Sequence, residues 1–255
     1  MGDVQLTHGT GARMAGIADT SVALVLTGPP YFPADIEPQL RSGRLGADTI
    51  EALQVRIEEF AWTLRPIFDE CWRVLLPGGR LILQTRDVRL GQVLVPVESL
   101  HRQLAEAMGL QLYTRHHWLP QYSTIRRRQL ASRLSTAIGP APADPEVFLV
   151  FCKPGPVRPG EPTAADIELL QSALLSTTAG KLPSAHRFQS PLPVLEALIR
   201  SHSRAEDLVV DPFMGGGTIL LAASRLGRSA WGCDIDTAAL EAARANLGLA
   251  PGSSP

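Results

Sequence analysis

The sequence predicts an α/β protein in which a mostly parallel sheet is covered by helices on both faces. Three observations carry that expectation. Short apolar runs bounded by Gly, Pro or Asp recur along the chain, as strands buried on both faces of a parallel sheet do. Stretches with apolar residues at helical spacing alternate with these runs, which is the pattern of βαβ units. One run, 208–210, passes through Asp211-Pro212-Phe213-Met214 into three glycines and then a helical stretch, the strand, loop and helix of a ligand-binding crossover.

Taken in chain order, residues 22–26 read as the first buried strand and lead into Thr27-Gly28-Pro29-Pro30-Tyr31-Phe32. Residues 49–75 have helical periodicity and stop at Pro77-Gly78-Gly79, after which 80–84 is a strand. A helix over 97–108 ends at Gly109 and is followed by a strand near 110–118. Residues 146–151, 208–210 and 229–233 are further strands, and 163–176, 192–201, 218–226 and 237–247 are helices. The Pro- and Gly-rich pieces 139–145 and 154–162 are connections.

A chain of 255 residues, 45% hydrophobic, fills one substantial core, so a single domain with insertions is expected. There is no apolar run of the ~18–20 residues that a membrane span needs. The opening MGDVQLTHGT lacks the basic flank and apolar run of a signal peptide. A soluble cytoplasmic protein without membrane association is the expectation. Cys71, Cys152 and Cys233 are far apart in sequence, and His116 and His117 lack partners at ligand spacing, so neither a disulfide framework nor a metal site is expected. A net charge of -1 argues against general polyanion binding. Yet Arg115, His116, His117, Arg126, Arg127, Arg128 and Arg133 share a segment that holds no acidic residue, and it suits a phosphate backbone locally.

Two loops carry the chemistry. In Asp211-Pro212-Phe213-Met214-Gly215-Gly216-Gly217-Thr218, glycine allows a sharp turn and close approach to a ligand, and the helix that follows presents unpaired N–H groups. The strand at 229–233 ends in Asp234-Ile235-Asp236, 23 and 25 residues after Asp211. That is near the ~20-residue spacing at which an acid grips ribose hydroxyls. Neither GxGxxG nor GxxxxGK[ST] is present, which disfavours a nicotinamide dinucleotide or a triphosphate. The Gly-Pro-Pro-Tyr loop follows a strand, at the end where open parallel sheets bind ligands. Its prolines have no N–H, and its tyrosine offers a flat face for stacking.

Together these loops resemble those of the amino-methyltransferases of bacterial DNA modification, which carry a [DNS]PP[YFW] loop and a DPFxGxGT loop. Their order here is similar to that of the beta class of this family. Residues 68–83, FDECWRVLLPGGRLIL, are similar to the family's helix, PGG turn and strand, and His186-Arg187-Phe188-Gln189-Ser190-Pro191 resembles its HPxxKP stretch. The resemblance implies a Rossmann-like S-adenosylmethionine-dependent methyltransferase sheet in circularly permuted order, with a small inserted target-recognition region. The implied division is a catalytic part at 1–118, an inserted region at 119–180 that returns to the sheet at 146–152, and a cofactor part at 181–255. S-adenosylmethionine is then expected against Asp211, Pro212, Phe213, Gly215, Gly217, Thr218, Asp234, His186 and Pro191. Thr27, Gly28, Pro29, Pro30 and Tyr31 are expected to handle the target base, and Arg126, Arg127, Arg128 and Arg133 the DNA.

The implied reaction is site-specific methylation of the exocyclic N4 of cytosine in double-stranded DNA, by base flipping and direct in-line attack. Thr27-Gly28-Pro29-Pro30-Tyr31 is nearer the family's [ST]SPP[YFW] cytosine loops than its Asp-headed adenine loops. The alternatives are an adenine-N6 enzyme of the same class and a catalytically weakened homologue that binds DNA and cofactor. The resemblance also implies a homodimer and a cognate restriction endonuclease as partners. C5-cytosine chemistry is disfavoured, because no cysteine follows a proline. Three departures stand out. Gly28 replaces the family's serine, which leaves backbone, Thr27 or water to accept the amine's hydrogen. Thr10 follows Gly9 where an acid is usual, and Arg187 and Ser190 replace a proline and a lysine.

Overall fold

A computed structural model of the chain describes residues 2–38, 47–90, 93–118, 146–172, 175 and 191–250. Among these, β1 (Val4–His8), β9 (Ser229–Asp234), β8 (Leu208–Asp211), β2 (Val22–Thr27), β3 (Leu75–Thr85), β7 (Glu146–Cys152) and β6 (Gln111–Trp118) lie side by side in that order in one sheet. All neighbours from β1 to β3 pair in parallel, and β7 runs antiparallel to both β3 and β6. Every residue of β2 is buried, as its unbroken VALVL run requires of a strand covered on both faces. The expected sheet is present, with one reversed strand near its edge.

Helices cover both faces. On one, α2 (Arg65–Val74) and α3 (Val97–Ala107) bring Ile67, Phe68, Cys71 and Leu104 against Val25, Leu81, Leu83 and Phe151. On the other, α5 (Leu192–His202), α6 (Thr218–Arg225) and α7 (Thr237–Leu247) bring Val194, Leu198, Leu220 and Ala243 against Leu24, Leu26, Ile82 and Val150. The alternation along each strand sends successive side chains to opposite cores. A smaller core joins α1 (Ala47–Thr63), through Leu53 and Ile57, to the hairpin β4 (Val88–Leu90) and β5 (Val93–Val95), and Tyr31 and Phe32 pack against it. A further helix, α4 (Ala164–Gln171), precedes α5 in the chain.

Three differences from the sequence reading have physical causes. The single helix expected over 49–75 is two, because Pro66 in the first turn of α2 has no N–H to continue α1. Leu75 already belongs to β3, and Pro77-Gly78-Gly79 form an irregularity within that strand, so the register with β2 jumps between Leu75 and Arg80. Finally, β1 was not expected. It is an edge strand of mixed burial, VQLTH, and lacks the apolar run that marks the central strands.

Trp118 is buried in the same core as Phe148 and Val194 and bridges to Leu175, so it anchors the end of β6. Burial raises the Cys71 thiol and pushes Cys233 up to about 12. Both stay protonated and unreactive, and the three cysteines are free. No group of acids, histidines or cysteines among the described residues is arranged to hold a metal. No described helix is long and apolar enough to cross a membrane.

Candidate active site

From β2 the chain crosses to β3 on one side, and from β8 it crosses through α6 to β9 on the other. The strand order therefore reverses between β2 and β8, and a crevice opens at such a point beyond the carboxyl ends of the strands. Both loops singled out in the sequence begin there. The Thr27 hydroxyl donates to Asp211 Oδ1 at 2.6 Å, between residues 184 positions apart. Both side chains are buried, so this bond fixes one loop against the other.

Asp211 Oδ1 also accepts the Phe213 N–H at 3.1 Å. Burial outweighs these two hydrogen bonds, and with the charge of Asp234 nearby it pushes the Asp211 carboxyl up to about 7. Beyond Phe213, Gly215 and Gly217 take φ of +49° and +72°, a region that other residues enter only under strain. A Cβ on Gly217 would also stand 2.9 Å from Ala243 Cβ, whereas the Gly215 position faces open space. Thr218 then opens α6, so the helix N-terminus faces the crevice.

The two acids after β9 have different places. Asp234 accepts the Gly215 N–H through Oδ2 and the Asp236 N–H through Oδ1, each at 2.9 Å. Each of its oxygens keeps a further lone pair for a hydroxyl. Asp236 instead caps α7 by accepting the Ala238 N–H. Between them Ile235 is 74% exposed, an apolar surface beside the carboxylate that the sequence reading did not single out. The loop after β1 closes this side. The Gly9 N–H donates to the Asp234 carbonyl at 2.9 Å, and Gly11 lies against Pro212. Thr10, at the position where an acid is usual, is exposed there, and its hydroxyl accepts the Ala12 N–H. Open space over Gly215, an oriented carboxylate and an apolar neighbour fit a nucleoside with a flexible tail.

In the other loop Gly28 does not have a positive φ, and its Cβ position is 3.8 Å from the nearest atom, the Gln84 carbonyl oxygen. A side chain there would fit. Arg86 stands over the Tyr31 ring at 5.3 Å. Burial raises the Tyr31 phenol, as does Glu146, while Arg86 opposes them, so the ring stays neutral. Two further groups under this loop were not read from the sequence. The Gln84 amide donates to the buried carboxyl of Glu146, which burial raises above the usual carboxylate range. His101, wholly buried on α3, meets the Thr85 hydroxyl through Nδ1 at 2.9 Å. Their partners are remote in sequence, so no motif announces them.

Pro191 is buried and caps the start of α5. Since α5 leads down to the beginning of β8, its first residue lies at the crevice end of the sheet. His186, Arg126, Arg127, Arg128 and Arg133 lie outside the described residues.

Comparison with known proteins places this geometry. A model of the N6/N4 methylase family, described as DNA methylase, matches residues 22–245. The type II methyltransferase M.BglII of Bacillus subtilis is 24% identical over 244 residues, 86% of this chain and 62% of that protein. The chain thus spans less than two thirds of that relative. A putative DNA modification methylase from Thermus thermophilus, crystallised with S-adenosyl-L-methionine, superposes with a TM-score of 0.70 at 24% identity over 97% of this chain and 93% of that one. The cytosine-N4-specific PvuII DNA methyltransferase gives a TM-score of 0.73 at 15% identity over 100% and 89%. The sheet is that of the S-adenosylmethionine-dependent methyltransferase fold, with its strands in permuted chain order. On the match across both loops and the strands that carry them, the chain belongs to the N6/N4 DNA methylase family.

Proposed function

We propose that this chain methylates the exocyclic N4 of cytosine in double-stranded DNA, with S-adenosylmethionine as donor. The observation that carries the reading is the Thr27–Asp211 bond of 2.6 Å. It holds the Gly-Pro-Pro-Tyr loop next to the glycine loop at the reversal of the sheet. Asp211, Pro212, Phe213, Gly215, Gly217, Thr218, Asp234 and Pro191 would hold the cofactor, and His186, outside the described residues, is assigned to it as well. When bound there, the cofactor supplies an electrophilic methyl group on a sulfonium.

The protein's part is positional. An exocyclic amine is a weak nucleophile, because its lone pair is conjugated into the ring, so holding it in line with the methyl carbon is the main source of rate. With the Thr27 hydroxyl committed to Asp211, the Gly28 and Pro29 carbonyls accept the amine's hydrogens. Tyr31 stacks on the base after it leaves the duplex. The nitrogen lone pair forms the new N–C bond as the C–S bond breaks, and the surplus amine proton leaves to water. Arg126, Arg127, Arg128 and Arg133 meet phosphates, and they belong to an inserted target-recognition region at 119–180, partly returning to the sheet at 146–152, that divides the catalytic part, 1–118, from the cofactor part, 181–255. A homodimer and a cognate restriction endonuclease belong to the same proposal, as does a cytoplasmic location.

Cytosine is preferred because no aspartate heads the loop. The absent side chain at Gly28 equally supports the second reading, adenine N6, since the space beside it would admit either acceptor. Transfer of labelled methyl groups to unmethylated duplex DNA tests the reading, with Tyr31→Ala as control. The wild type is expected to label DNA. The variant should lose about 100-fold or more in rate, with cofactor affinity kept within about threefold. A wild type that binds S-adenosylmethionine but labels no DNA would leave a weakened DNA- and cofactor-binding homologue.

A further inference from the structure

The buried face of α3 consists of Val97, His101, Leu104 and Ala105. Three are apolar, and the fourth places an imidazole where leucine would fill the space without a polar atom to satisfy. His101 has no exposed surface. Its Nδ1 is 2.9 Å from the Thr85 hydroxyl at the end of β3, while its buried Nε2 has no hydrogen-bond partner. The Pro30 carbonyl is near enough to raise the imidazole, but it does not meet Nε2 in hydrogen-bond geometry. The rings of Tyr31 and Phe68 flank it, each with its centroid 6.5 Å away. A fully buried ring nitrogen without a partner is costly and uncommon. Here it lies under the loop that the preceding reading assigns to the target base.

We propose that His101 is a positioning residue: the Thr85 hydroxyl donates to Nδ1, which makes Nε2–H a donor, and this donor takes the Pro30 carbonyl when the target base is seated. The inference rests on the methyl-transfer reading. Gly28 has no side chain to direct the amine, so the aim of the loop depends on its backbone, and a tether at Pro30 turns the Gly28 and Pro29 carbonyls towards the crevice. Tethers of this kind tighten in the reacting complex and are long or bent before it forms. Burial lowers the imidazole to about 4, although the Pro30 carbonyl opposes the shift. The ring is therefore neutral at physiological pH, with one donor and one acceptor, as the tether requires.

The test compares His101→Gln, whose amide nitrogen falls near the Nε2 position, with His101→Asn, whose amide nitrogen falls near Nδ1. Melting temperatures, the kcat for DNA methylation and the KM for S-adenosylmethionine are measured for both, and imidazole 15N shifts are recorded on the wild type. The expected result is that His101→Gln keeps kcat within about threefold, while His101→Asn loses about 10- to 100-fold in kcat with the cofactor KM unchanged. The wild-type ring should be the Nε2–H tautomer. Equal rates for Gln and Asn overturn the proposal, as does a loss confined to the cofactor KM. If both variants unfold, the tautomer decides, and an Nδ1–H ring overturns the proposal. A wild type that labels no DNA refutes the methyl-transfer reading itself, and the tautomer still separates that failure from this one.

Discussion

At the scale of single residues the loops carry different constraints. Gly217 is required by its φ of +72° and by Ala243, 2.9 Å from where a Cβ would stand. Gly217→Ala should therefore cost about 1–3 kcal/mol and weaken cofactor binding, as thermal melts with and without S-adenosylmethionine would show. Gly28 has neither constraint, and Gly28→Ser should melt as the wild type does. By restoring an acceptor for the amine hydrogen, it should also raise the methylation rate about tenfold. Asp211 gives a pH dependence. Burial pushes its folded pKa up to about 7 from 3.8, so the folded state holds the extra proton between those values. Stability from this group is present below about pH 4 and lost as the pH rises through 7. The cofactor carries net positive charge and should bind the ionised form better. Calorimetry at pH 6 and 8 should show about a tenfold tightening, absent in Asp211→Asn. Residue types were legible in the sequence because the loops are contiguous. The parts played by Thr27 and His101 were not, since their partners lie on other elements and are set by how those elements pack.

Among elements, legibility followed burial. β2, β3, β7, β8 and β9 were all readable as apolar runs, because a strand covered on both faces admits few polar residues. The edge strand β1 was not, although its loop at 9–12 packs against Asp234 and Pro212 and closes that side of the crevice. Helix lengths were blurred where Pro66 divides one periodic stretch into two helices. α4 is tied to α5 by a two-pronged pair, with Arg200 Nε and Nη2 each 2.7 Å from an Asp166 oxygen. Thr163 and Asp166 form a capping box at its start. The side-chain hydrogen bond from Arg200 leads in pulling the Asp166 carboxyl down to about 2. The stability it contributes is present above about pH 4 and lost as the pH falls towards 2. Arg200→Ala should cost about 2–3 kcal/mol, allowing for the arginine's partial exposure, and should flatten the acid limb of stability between pH 4 and 2. Acid titration of both proteins by circular dichroism would check this.

For the whole molecule, the order of the two loops along the chain already pointed to a permuted sheet, and the strand order β1-β9-β8-β2-β3-β7-β6 puts both loops at one reversal point. On the proposed reading a methyl donor and an amine are held in line there, and the Thr27–Asp211 bond sets the two loops for that task. Recognition of a DNA sequence was the least legible part. On the proposed reading it belongs to the 119–180 region, and charge spacing alone does not encode which bases a side chain reads. The most direct measurement is to incubate the protein with unmethylated bacterial DNA and S-adenosylmethionine, digest to nucleosides and identify the modified base by mass spectrometry. N4-methylcytosine is the predicted product. N6-methyladenine would contradict the assignment of the acceptor, and the absence of both bases, with cofactor binding intact, would contradict DNA amino-methylation itself.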